Sequence, residues 1–153
     1  MTNTDGVTVA VSRIESAHRS ALCVLLALFA LRVIAQPLSL AVSSPLLPPF
    51  ASWYSGVVPY PLLLVAQVAI LALLAAGIRG TYGGGPVWSR RAALWLGAFG
   101  AVYFVSMALR LVLGATILRA HPWFGRTIPA FFHLVLASYV LVYADFHRRS
   151  APR

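Results

Sequence analysis

Five polar side chains interrupt the long apolar stretches of this chain, and their types are suited to binding anions or moving protons. They are Arg32, Gln36, Gln67, Arg110 and His133. Arginine recognises carboxylate and phosphate oxygens through a planar fork of N–H donors. Histidine exchanges a proton near neutral pH, and a glutamine amide both donates and accepts hydrogen bonds. The combination predicts an anion-binding site, in which His133 is the proton-transfer group if the site is catalytic.

The stretches that hold these side chains are long and apolar enough to cross a membrane. The chain is 60% hydrophobic and only 10% charged, whereas a soluble domain is about a quarter charged. About 20 helical residues, at 1.5 Å each, cross the roughly 30 Å hydrocarbon core of a bilayer. The sequence predicts four such helices, over residues 21–42, 59–78, 92–113 and 128–146.

The predicted fold class is therefore an all-α polytopic membrane protein, a four-transmembrane-helix bundle within residues 21–147. Residues 1–20 form a polar lead-in, and residues 148–153 form a basic tail. A glycine-rich run within 79–91 predicts a flexible connection. A cleaved signal peptide is the alternative for the first segment, but that segment is long for one and is interrupted by Arg32.

The distribution of arginine predicts the orientation of the bundle. All twelve basic residues are arginines, and eight of them lie in the lead-in, the 79–91 connection and the tail. The connection between the third and fourth helices holds only Arg119 and Arg126. By the positive-inside rule both termini are cytoplasmic, which is an N-in/C-in topology. Abundant Ala and Arg without Lys is typical of a GC-rich bacterium, so we expect a multi-pass protein of the bacterial inner membrane, the cell membrane.

The five polar side chains fall in one half of the bilayer, away from the termini, when depth is counted at 1.5 Å per residue. The acids of the chain are Asp5, Glu15 and Asp145, and none of them lies at that depth. An arginine at the centre of a spanning helix costs roughly 2.5–3.5 kcal/mol. Water, helix carbonyl groups, lipid phosphate or an anionic ligand must therefore stabilise Arg32 and Arg110.

Several of these residues also have a purely structural interpretation. Arg110 can extend to the membrane surface as an anchor, Gln67 can hydrogen-bond a neighbouring helix, and a single His133 can be a packing residue. Asp145 precedes two arginines at helical ion-pair spacing. Small residues recur at intervals of four in the third helix and predict a helix-packing stripe: Ala93, Gly97 and Ala101.

Several chemistries are disfavoured by the residues present. Cys23 is the only cysteine, so disulfides within the chain and thiolate zinc sites are excluded. His133 is the only histidine within a predicted span, and we expect no metal and no cofactor, since metal sites need several clustered ligands. Ser106 lacks the motif of a nucleophile that would act with His133. No basic groove with interleaved aromatic residues is present, so nucleic acid is not an expected partner.

These observations predict a small membrane protein without enzymatic activity. Its polar pocket, facing outward, would bind an anionic lipid headgroup, a lipid-linked ligand or a partner subunit. One alternative is an enzyme of lipid or quinone chemistry that uses His133 and Arg32. Another is an oligomeric transporter of small solutes, with the packing stripe as its interface. The expected partners are the lipid bilayer, an anionic lipid or membrane protein, and further copies of the chain.

Overall fold

A computed structural model describes the backbone of residues 4–42, 47–53, 58–82 and 88–151, with side chains described from residue 14 onward in these ranges. Most of the predicted glycine-rich connection, residues 83–87, lies outside the described residues. The described residues form helices and no strand. The helices are α1 (Thr4–Ala41), α2 (Phe50–Trp53), α3 (Tyr60–Tyr82), α4 (Arg90–Ala115) and α5 (Thr127–Ser150).

Four of these helices, α1, α3, α4 and α5, are long and apolar enough to span a membrane, which confirms the predicted helical bundle class. Their outer faces carry large apolar side chains, such as Leu73 (71% exposed) and Trp95 (78% exposed). Such exposure suits contact with hydrocarbon rather than water. α4 starts after Ser89, whose hydroxyl caps the helix by accepting from the Ala92 amide at 3.3 Å.

α1 is much longer than the predicted first span. It begins at Thr4 and runs through the residues expected to form the lead-in. Glu15 and Arg19, one turn apart, form an ion pair at 3.5 Å that supports this helical extension. The helix also continues past Pro37, as spanning helices can when neighbouring helices stabilise the interrupted turn.

The helices pack in the order α3, α1, α5 and α4. α5 makes its most extensive contacts with α4, then with α1, and α3 packs on α1; no comparable packing joins α3 to α4 among the described residues. Between α1, α3 and α5 lies an apolar core that includes Leu22, Phe29 and Val135. Across this core Tyr139 Oη donates to the Leu74 carbonyl at 2.6 Å.

Small residues bring α4 close to α5. Ala93 is 1% exposed, and a Cβ placed on Gly97 would lie 3.7 Å from the Ala144 Cβ. Ala101, the third member of the predicted stripe, is exposed. It lines a groove between α4 and α5 together with Ala93 and Gly97. Gly100, which was not predicted, also lies at this interface, where a Cβ would lie 3.1 Å from Leu141. Part of the predicted stripe therefore serves packing within the chain.

His18 and Arg19 of α1, the end of α3, the residues just before α4 and the end of α5 meet at one end of the bundle, which we name the termini end. There Asp145 forms ion pairs with Arg148 at 2.5 Å and Arg149 at 2.6 Å, as their spacing predicted. Asp145 also contacts His18 of α1 at 2.9 Å, and Arg19 donates to the Thr81 carbonyl of α3 at 2.8 Å. We name the opposite end, which holds α2 and the α4–α5 loop, the distal end.

Candidate anion-binding site

A cavity of about 110 Å³ lies between the four long helices, towards the distal end. A water molecule needs about 10–15 Å³ of such space, so the cavity has room for several waters or one small polar group. Four of the five polar residues singled out in the sequence line it. The lining residues are Phe29, Arg32, Leu63, Ala66, Gln67, Ile70, Arg110, Pro129, Phe132, His133 and Leu136.

Arg32 is the most isolated charge of this cavity. It is only 7% exposed, because α1 lies between α3 and α5 at this point. Its Nε is buried without a hydrogen-bond partner, and its guanidinium carbon lies 5.5 Å from the centre of the Phe132 ring. None of the lining residues is acidic. The contact with Phe132 is therefore a weak cation–π compensation for a charge that no lining carboxylate neutralises.

Arg110 is held by the α4–α5 loop. Its Nη2 donates to the Trp123 carbonyl at 2.9 Å, and its guanidinium carbon lies 3.8 Å from the centre of the Trp123 ring. The side chain is 5% exposed, so it lies under the loop instead of extending outward as a surface anchor. Its Nε, like that of Arg32, has no partner. Arg110 therefore keeps donor capacity while its position is fixed.

Glycine allows the α4–α5 loop to approach α4 so closely. A Cβ on Gly114 would lie 1.9 Å from the carbonyl oxygen of Phe124, and one on Gly125 would lie 2.2 Å from that of Arg119. Any larger residue at Gly114 must displace the backbone beside Trp123. The position of Arg110 thus depends on a close contact in the next turn of α4.

Gln36 and Gln67 connect α1 to α3 behind the cavity. Gln67 Nε2 donates to Gln36 Oε1 at 3.1 Å, which is the interhelical hydrogen bond expected of a membrane-embedded amide. Both residues are almost fully buried, at 0% and 2% exposed. Gln67 lines the cavity, whereas Gln36 is not among the lining residues. The pair fixes the relative position of α1 and α3 one turn beyond Arg32.

His133 is hydrogen-bonded to Tyr103, a residue that was not among the predicted site residues. A hydrogen bond of 2.5 Å joins its Nδ1 to the Tyr103 hydroxyl of α4. Tyr103 lies two turns before Arg110 on the same face of that helix, a spacing visible in the sequence. Ser106, in contrast, is exposed and donates to the Val102 carbonyl at 2.8 Å. It therefore does not form a Ser–His pair with His133.

Aromatic side chains from the distal loops complete the site, and no pattern in the sequence assigned them to it. Trp53 of α2 is 8% exposed and stacks on Phe132 with ring centres 6.2 Å apart. Its indole Nε1 donates to the Pro48 carbonyl at 3.0 Å. Trp53 thus supports the Phe132 ring that faces Arg32, whereas the Trp123 ring itself lies over Arg110.

The arrangement brings two cationic groups and a histidine to one enclosed polar space. Guanidinium groups with unused donors can bind an oxyanion, and the local exclusion of water strengthens that interaction. Within the described ranges no three His, Cys, Asp or Glu side chains group as metal ligands. No family model, curated protein or solved structure matches the chain. The function is therefore argued from the cavity.

Proposed function

We propose that this chain is an integral membrane protein that binds a small anionic group in the cavity, with Arg32 and Arg110 as its main contacts and Gln67 and His133 beside them. The observation that carries the proposal is Arg32, a buried residue whose Nε has no hydrogen-bond partner and whose cavity contains no acid. The anion would be the headgroup of a lipid or the charged group of a lipid-linked ligand.

The energetics favour an anion over water alone. A buried charge without a partner is costly, because neither solvent nor an opposite charge stabilises it. Waters in the cavity would solvate the guanidinium groups but would leave two positive charges close together. An oxyanion supplies both acceptor oxygens and opposite charge. Arg110 and Arg32 on separate helices can then contact different oxygens of one group.

The proposal includes the N-in/C-in orientation in a bacterial cell membrane, which places the cavity in the outer half of the bilayer. It is supported by the arginine-rich termini end and the few arginines of the distal end. A cysteine introduced at Ser150, in a Cys23→Ser background, should react with an impermeant reagent only after the membrane is permeabilised. Labelling of intact cells at that position would overturn the orientation.

Thermal unfolding in a neutral detergent tests the anion site. A ligand that binds only the folded protein stabilises it, by about 2.7 kcal/mol at 100 times its Kd. We expect phosphate or an anionic phospholipid to raise the Tm of the wild type and of Arg119→Gln, but not that of Arg32→Gln. Arg119 is the matched control, because it is exposed in the α4–α5 loop, does not line the cavity, and donates to the Ala115 carbonyl at the end of α4. An equal rise in Arg32→Gln would contradict the proposal.

A further inference from the structure

We infer that the anion is the phosphate of a membrane lipid, and that it reaches the cavity sideways from the bilayer, between α3 and α4. The inference rests on the anion-binding function proposed above and adds the class of ligand and its route. Three features of the described residues carry it: an open side of the bundle, a covered distal end, and apolar helix faces beside the opening.

The open side follows from the packing order of the helices. α3 is packed on α1 and α4 on α5, and no comparable contact closes the bundle between α3 and α4. Ala66 of α3 lines the cavity and is also exposed. It lies six residues after the start of α3, about 9 Å along the helix from its distal end. The cavity therefore reaches the surface of the bundle at a depth occupied by lipid.

The distal end is covered where a ligand from water would have to pass. The Trp123 ring lies over the Arg110 guanidinium at 3.8 Å, and Trp53 stacks on Phe132. The Gly114 contact leaves no space between α4 and the loop backbone at Phe124. A headgroup that arrives from the bilayer avoids these side chains.

The surfaces next to the opening suit acyl chains. Leu62 and Val65 of α3 are 60% and 66% exposed, and Val105 and Leu109 of α4 are 64% and 57% exposed. These residues lie in the distal halves of their helices, at the level of the cavity. A lipid could thus place its phosphate between two guanidinium groups while its chains remain in contact with apolar side chains. A phosphodiester has two unesterified oxygens, one for each arginine.

Substitution of Ala66 tests the route. We expect Ala66→Phe to close the opening with a side chain that hydrocarbon tolerates, whereas Ala72→Phe puts the same ring on an exposed α3 position that does not line the cavity. Each protein is incubated in phosphatidylcholine vesicles that contain phosphatidylglycerol, extracted, and weighed with its bound lipid by native mass spectrometry. Ala66→Phe should retain roughly ten-fold less phosphatidylglycerol than either the wild type or the control Ala72→Phe. This ratio corresponds to about 1.4 kcal/mol of binding free energy.

Inorganic phosphate separates the route from the anion site itself. Inorganic phosphate has no acyl chains and can enter from water when the distal loops open locally during equilibration, a route that a lipid anchored in the bilayer cannot use. Ala66→Phe should therefore still be stabilised by phosphate against thermal unfolding, which also shows that the variant is folded. If it retains phosphatidylglycerol as the wild type does, or loses lipid and phosphate binding together, the lateral route is overturned. If the wild type responds to phosphate but retains no phosphatidylglycerol, the anion site stands and the lipid is wrong. If the wild type binds neither, the proposed function fails as well.

Discussion

Arg32 shows what a single residue in a sequence can and cannot indicate. Its depth in an apolar segment, and the lack of an acid at that depth, were both readable from the chain. What surrounds it was not, because the facing residues come from helices far away in sequence. The structure adds the Phe132 ring at 5.5 Å and the cavity shared with Arg110. The feature that suggests a ligand is thus a single buried arginine that lacks an acidic partner and a hydrogen-bond acceptor for its Nε.

Single tyrosine hydroxyl groups form specific contacts between helices. Tyr139→Phe removes the donor to the Leu74 carbonyl, a hydrogen bond of 2.6 Å inside the apolar core. We expect the free energy of unfolding to fall by about 0.5–1.5 kcal/mol, the usual net contribution of such a bond. Thermal unfolding in detergent measures the change.

Tyr143→Phe is the matched control for this prediction. Tyr143 follows one turn later on α5 and stacks on Tyr139 with ring centres 6.1 Å apart, but its hydroxyl has no hydrogen bond to the described residues. Its loss should change stability by less than about 0.5 kcal/mol. Equal effects of the two substitutions would show that the Tyr139 bond adds little stability.

At the scale of elements, the α4–α5 loop is fixed to α4 by glycine. Gly114→Ala would place a Cβ 1.9 Å from the Phe124 carbonyl oxygen. Overpacking of this kind typically lowers the free energy of unfolding by about 1–3 kcal/mol. The displaced loop backbone should also move Trp123 away from Arg110. We expect a lower Tm together with weaker stabilisation by phosphate.

Gly80→Ala provides the comparison, since no atom lies within 4 Å of a Cβ at that α3 position. Alanine there should be neutral or should stabilise the helix by up to about 1 kcal/mol, with the response to phosphate unchanged. A Gly114→Ala variant that behaves like Gly80→Ala would contradict the close loop contact.

The helices were the most predictable part of the molecule, since hydropathy and length alone located the four spans. Their ends were less so. α1 continues to Thr4 because the polar segment before the apolar stretch is compatible with a helix, and the Glu15–Arg19 pair supports it. α2 could not be predicted, because four residues carry too little periodicity to mark a helix. Packing partners were also only partly predictable, because the interval of four that indicated Ala93, Gly97 and Ala101 does not include Gly100, which is buried against α5.

For the whole molecule, polarity is distributed unequally between the two ends. The termini end is joined by ion pairs in which Asp145 binds groups of α1 and α5. The distal end holds Arg32 and Arg110 without any such acid among the described residues, and aromatic rings cover them. The termini end therefore has carboxylates beside its cationic groups. The lining of the distal cavity has none, which is why we place the function there.

The most direct test of this account is the identity of what the cavity holds. Protein extracted mildly from its native membrane is weighed intact by native mass spectrometry, as wild type, Arg32→Gln and the control Arg119→Gln. We predict a bound anionic species of discrete mass on the wild type and on Arg119→Gln, and its loss from Arg32→Gln while the variant remains folded. A wild type that carries no anionic species, or an Arg32→Gln variant that carries the same one, would contradict the central claim.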